Sequence, residues 1–204
     1  MKEPTPDTAD VVAAAFRLAA ERGWNATGLD DIADACNMPP SEMRRRFPCK
    51  SSVLIACAKD IEQRAAAEPP AFEPEDTVRD RLFELLMQRL DLLAPHKPAV
   101  ANILRDVPGD PVCVAAAGPD ALRLIAGILE HADVVASGPV GCLRCKGLAV
   151  IWLATLREWS RDDSPDNART MAALDAYLRR AEPFARILSR LPTMRGFGPA
   201  VRNA

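Results

Sequence analysis

The chain has 204 residues, 49% of them hydrophobic, and its 26 Lys and Arg against 28 Asp and Glu give a formal net charge of -2. That is apolar material for a substantial core, which excludes wholesale disorder, and the length allows one large helical unit or a small domain followed by a larger one. A net charge this small exerts no global pull on nucleic acid, so any such affinity must come from local charge.

Residues 10–23 (DVVAAAFRLAAERG) predict a first helix, with Val12, Ala15, Phe16 and Ala19 on one face and Gly23 as its stop. A second follows over Asp31 to Cys36, where Leu29, Ile32, Ala33 and Cys36 are spaced to share an apolar face. Thr27 and Asp30 ahead of it make a Thr-x-x-Asp start close to a capping box. Asn37 marks the reversal, since Asn tolerates the left-handed conformation, and Pro40 suits the first turn of a third helix. In that helix Met43 and Phe47 point inward together, while Ser41, Arg44 and Arg45 fall on the outer side. A short helix with an apolar back and a cationic front, braced by a preceding helix, is what reading a DNA major groove requires. A solvated charged face, or cations gathered at a helix C-terminus, would give the same three arginines.

Lys50 opens a long fourth helix to about Ala67, closed by the proline-rich stretch from Pro69 to Pro74. The next helix, about Thr77 to Leu93, carries two apolar stripes. Val78, Leu82, Leu85, Leu86 and Leu93 lie on one side, and Phe83, Met87 and Leu90 on the other. Apolarity on two faces implies burial between layers, or one face lining a pocket, with Arg89, His96 and Arg157 as candidate polar groups. After a short helix to Arg105 comes the loop Pro108 to Pro111. A further helix is predicted from Pro119 to about Val134, ended by Ser137-Gly138-Pro139. The sequence from Gly141 to Asp162 predicts a long helix that is apolar nearly all round between Leu148 and Leu153. A capped turn at residues 162–166 leads to a last helix from about Pro165 to Ala181 or beyond, with a seam at Met171, Leu174, Leu178 and Ala181. Two adjacent long helices of this kind form half of a four-helix dimer bundle, or else pack within a monomer. The tail from Phe184 to Arg195 alternates apolar residues with arginines, a pattern for docking on the body or on an anionic membrane surface.

The six cysteines lack a small-domain framework, which suggests reduced thiols. Cys142 and Cys145 form a lone CxxC, either a redox pair, half a zinc site or plain packing. No second pair at metal spacing, no Ser/His/Asp arrangement and no phosphate-cradling glycine loop is visible. An enzyme, a cofactor and a metal are therefore not expected. No uninterrupted apolar run approaches membrane-span length, and Met1 to Asp10 is acidic and proline-rich rather than a signal peptide, so a cytoplasmic protein is expected.

The segment AAFRLAAERGWNATGLDDIADACNMPPSEMRRRFPCKSSVL resembles the N-terminal signature of the tetracycline-repressor family of bacterial regulators. The match includes Trp24 after the glycine, the DDIA of the second helix and the Phe-Pro-x-Lys that ends the third. The resemblance implies an all-α protein: a three-helix helix-turn-helix DNA-binding domain at 1–50, and a helical ligand-binding and dimerisation domain at 51–204. It implies a homodimer on a pseudo-palindromic operator in double-stranded DNA, with Thr27, Ser41, Arg44, Arg45 and Lys50 at the DNA. Pro39 departs from the usual Ser/Thr cap, Pro40 removes another backbone donor, and Arg44 stands where the family usually has Tyr. The lost cap weakens the third helix by ~1 kcal/mol, while Arg44 adds a possible bidentate guanine reader.

Arg81 to Met87 and Trp159-x-x-Asp162 to Asp166 are similar to a second family, the lipid-binding accessory proteins of ubiquinone biosynthesis, which share the fold but bind isoprenoid lipid instead of DNA. This implies an apolar cavity bordered by Met87, Leu90 and Trp152, and with Phe83 on the same stripe it would take an apolar small molecule or lipid effector. A lipid-binding accessory protein without DNA recognition is the alternative to the regulator.

Overall fold

A computed structural model describes residues 6–107 and 111–190. Among them are nine α-helices and no strand: α1 (Thr8–Arg22), α2 (Leu29–Ala35), α3 (Pro40–Arg46), α4 (Lys50–Ala67), α5 (Val78–Leu93), α6 (Lys97–Asp106), α7 (Pro111–His131), α8 (Gly138–Trp159) and α9 (Ala168–Arg190). A 3₁₀ turn, Ala94–His96, joins α5 to α6.

Local chemistry sets most of these boundaries. Asp7 and Asp10 cap α1 reciprocally, each side chain accepting the other's backbone N–H at 2.8 and 3.0 Å. Thr77 and Asp80 do the same for α5. Gly23, at φ 88°, ends α1 in a conformation other residues resist, and Asn37, at φ 54°, makes the reversal after α2. At the head of α2 the cap falls one residue later than the sequence suggests. Gly28 is the N-cap, and Asp31 accepts its N–H at 2.7 Å.

Two apolar clusters make the core. The first gathers α1, Trp24, Ile32, Met43, Phe47 and the inner face of α4, then continues without a break into Leu90, Leu93, α6 and Trp159. The second joins Leu82, Leu85 and Leu86 of α5 to Ile125, Ile128 and Leu129 of α7, Leu148 of α8, and Leu174 and Leu178 of α9. Met87 and Trp152, each half-buried, pack against both clusters.

Three expectations for the later helices need correcting. Helix α7 does not begin at Pro119. It starts at Pro111 and carries Pro119 internally, where the three alanines 115–117 favour helix despite Gly118 and the missing proline N–H; residues 108–110 of the expected loop lie outside those described. Ser137, Gly138 and Pro139 do not merely end a helix, for Ser137 is the N-cap of α8 and proline occupies its first turn. That places α8 at Gly138–Trp159, 22 residues, long and apolar enough by length and composition to cross a membrane. The same apolarity serves two faces: Cys145, Leu148 and Trp159 are buried, while Leu143, Val150 and Leu153 are exposed. Finally, α9 runs through Pro183 to Arg190 and leaves Phe184 and Ile187 exposed, not docked on the body; residues 191–195 of the tail lie outside those described.

A polar knot holds the α8–α9 turn. Burial alone would raise the Asp162 carboxyl, but Ser164 and Thr170 each donate a backbone and a hydroxyl hydrogen bond to it and hold it well below the usual carboxylate range. Lys97, at the start of α6, donates to the Asp162 carbonyl and lies 5.2 Å from the centroid of the Trp159 ring.

Candidate nucleic-acid interface

Helix α3 is only seven residues long, and Pro39 gives it no side-chain cap. It is held by its back: Met43 and Phe47 are buried in the first core cluster, and the Phe47 N–H bonds to the Met43 carbonyl at 2.8 Å. Its front carries Ser41, Arg44 and Arg45, all exposed. A cationic helix is thus presented on a braced turn.

Among the described residues, every Arg and Lys of the head (residues 6–50) has an internal partner. Nη2 of Arg44 donates to both carboxylate oxygens of Asp30, at 2.6 and 2.8 Å. Arg45 donates from Nε and Nη2 to the two oxygens of Glu42, at 3.0 and 2.7 Å. Arg46 turns away, to the Pro6 carbonyl at 2.6 Å and the Thr8 hydroxyl at 3.1 Å, and so ties α3 to the start of α1. Lys50 donates to the Trp24 carbonyl at 2.7 Å and sits 4.7 Å from the centroid of that ring. Both carboxylate pairs are solvent-exposed on the arginine side, so exchanging them for phosphate or base costs little.

Thr27 is set apart from the other four candidate DNA residues. It is buried, and its hydroxyl donates to the Gly23 carbonyl at 2.8 Å. Its place is in the floor of the head; Ser41, Arg44, Arg45 and Lys50 lie at or near the surface. The carboxylate partners Asp30 and Glu42 escape a reading of the sequence that looks only for cations.

Helix α6 grips the head from behind. Asn102 donates to the Ala19 carbonyl at 2.8 Å, and the Asn25 N–H donates to Asp106 at 2.9 Å. The rings of Phe16 and His96 pack with centroids 4.9 Å apart. The Asn25 hydrogen bond holds the Asp106 carboxyl below its usual range. A lowered folded pKa means that this contribution is complete above the unfolded value of about 3.9 and fades as pH falls through the folded one. Asp106→Ala is therefore expected to lose ~1 kcal/mol at pH 7, and urea titrations of the two proteins should converge as pH drops towards 3. A difference that persists unchanged at low pH would remove this role.

The four candidate ligand residues are not gathered at one cavity. Leu90 is fully buried in the first cluster, Met87 and Trp152 sit where the two clusters meet, and Phe83 packs on the second. Phe83 also lines an open cavity of about 270 Å³ between α5 and α9, beside Arg79, Met171 and Asp175. A second cavity, about 400 Å³, lies behind the head among Arg46, Cys49, Ser52, Lys59 and Asp120. There the Ser51 hydroxyl, bonded to the Cys49 sulfur, lowers the Cys49 thiol from its ordinary value. In the CxxC, Cys145 is buried and Cys142 exposed, both as free thiols one helical turn apart. Among the described residues no three His, Cys, Asp or Glu side chains converge as a metal site.

Residues 11–57 match the family model of bacterial regulatory proteins of the tetR family. Among solved structures, the chain is similar to a TetR transcriptional regulator from Nitrosomonas europaea, at 25% identity and a TM-score of 0.64, covering 86% of this chain and 97% of that one. It is also similar to a TetR transcriptional regulator from Rhodococcus sp. RHA1, at 16% identity and a TM-score of 0.58, covering 83% and 93%. A third, a putative TetR-family regulator from Rhodococcus sp., shares 14% identity at a TM-score of 0.55, covering 84% and 98%. No curated protein matches the sequence.

Proposed function

We infer from a chain of the TetR family of bacterial regulators that it works as a homodimeric, ligand-responsive transcriptional regulator on a pseudo-palindromic operator. The observation that carries the DNA reading is α3 itself, which buries Met43 and Phe47 and turns Ser41, Arg44 and Arg45 outward. Arg44 reads a base, Ser41 contacts phosphate, and Arg45 and Lys50 do so once their internal partners are exchanged.

A two-fold operator needs a two-fold protein. The surface proposed for pairing is the outer side of α8 and α9, where Leu143, Val150 and Leu153 repeat on one face and Phe184 and Ile187 extend it. An apolar effector would enter between the two core clusters, beside Met87 and Trp152. Separating those clusters displaces α6, which is bonded at one end to the α8–α9 turn and at the other to the head. Operator and effector would then be coupled through two arrangements of one helix.

Selection of genomic duplexes on the purified protein at low salt tests this. An enriched inverted repeat is expected, with half-sites about one turn, 34–36 Å, apart. Arg44→Ala should cost ~1–3 kcal/mol at one operator position per half-site. Lys50→Ala should weaken all duplexes alike and flatten the salt slope by about one. If no duplex is enriched, the regulator reading falls and the lipid-binding alternative takes its place.

A further inference from the structure

We propose that Asp30 is a specificity-determining residue that acts through Arg44, orienting its guanidinium for a guanine while keeping the free head from holding arbitrary DNA. The inference rests on the DNA-binding reading above.

Its basis is the difference between the two outward arginines. Asp30, in the first turn of α2, and Arg44, in the last turn of α3, are 62% and 59% exposed, so their contact is made in solvent and not imposed by burial. Only Nη2 of Arg44 is engaged, on both oxygens of Asp30; among the described residues Nη1 and Nε carry no hydrogen bond. A guanine presents O6 and N7 in the major groove and takes two N–H groups from two nitrogens. Nη1 and Nε keep their N–H groups unbonded, and a two-nitrogen contact with guanine pairs one of them with Nη2, which it shares with or takes from the carboxylate. Arg45 is held differently. Glu42 takes both Nε and Nη2, which occupies a whole edge of the fork. The pairs differ in what they fix: Asp30 ties Arg44 to a second helix, whereas Glu42 holds Arg45 along α3 itself.

Two effects follow from the carboxylate. Fixing a long side chain in advance removes part of the ordering cost of making a directional contact, which favours the correct base. A negative charge beside Arg44 also repels the DNA backbone, which lowers affinity for every sequence alike. The first effect raises the ratio of operator to non-operator binding, and the second weakens the grip on both alike.

The test measures anisotropy of three labelled duplexes with the full-length protein: the selected operator, the same operator with the Arg44 base pair exchanged, and a scrambled sequence. Asp30→Asn is expected to bind the scrambled duplex several-fold more tightly. Its discrimination against the exchanged base pair should fall about tenfold, with an unchanged melting curve. In an Arg44→Ala background, Asp30→Asn should leave that discrimination where Arg44→Ala alone puts it. An Asp30→Asn protein with wild-type discrimination overturns the proposal, as does an equal loss in the Arg44→Ala background. Failure of the DNA reading looks different: a wild-type chain that binds all three duplexes equally, or none, removes that reading and this inference with it.

Discussion

Replacing Arg89 with alanine is expected to lower the unfolding free energy by ~3–5 kcal/mol. Arg89 is only 3% exposed, and it donates from Nε and Nη2 to Glu62 at 2.6 and 2.5 Å and from Nη1 to the Leu85 carbonyl at 2.7 Å. Truncation leaves the Glu62 carboxylate facing an apolar hole between α4 and α5. The pair differs from an exposed one in this respect, since an ion pair lacking one partner in low dielectric is worse than none. The double replacement Arg89→Met with Glu62→Leu should accordingly recover most of the loss. Urea titration at constant slope measures both. A loss below ~1 kcal/mol for Arg89→Ala would show that water reaches the pair freely.

The second large effect separates the core from the proposed interface. Val150→Asp is expected to fold, to run as a monomer by light scattering, and to lose operator binding, because Val150 is 68% exposed on the outer face of α8. Leu174→Asp should instead prevent folding. Leu174 has no exposed surface and packs inside the second cluster, so the new carboxylate would be buried unpaired at a cost of several kcal/mol. A Val150→Asp chain that remains a dimer at micromolar concentration would place the two-fold axis on another surface.

The head was legible in the sequence because each of its signals is local. The α1 stop at Gly23, the reversal at Asn37, the proline at the start of α3 and the Met43–Phe47 spacing all lie within a turn or two of what they control. The arginine cluster was visible for the same reason. Its partner Asp30 was not, being 14 residues from Arg44 and joined to it only by the packing of α2 on α3. Arg89 was misjudged for a related reason. On helix periodicity it falls among apolar positions that could equally face a pocket, and its partner Glu62 lies 27 residues back on another helix. Pro119 misled in the other direction, since proline is a strong local stop that a long helix can override when both flanks propagate well. The seam Met171, Leu174 and Leu178 was found by periodicity, but periodicity cannot tell which neighbour a stripe meets. Leu174 and Leu178 turn to their own chain.

Beside its apolar packing, helix α6 makes polar bonds that reach the main chain of its neighbours: Asn102 binds the carbonyl of residue 19, Asp106 the amide of residue 25, and Lys97 the carbonyl of residue 162. A backbone amide or carbonyl is the same whatever side chain it carries. The side chains of the proposed DNA surface, and those beside the proposed effector site, can therefore change without rewriting these polar bonds between head and body. The polar half of the joint is indifferent to the side chains on either side; its apolar half is not. A chimera carrying another head on this body should fold with these bonds intact as long as that head keeps the apolar face of its first helix and ends it with the same backbone path.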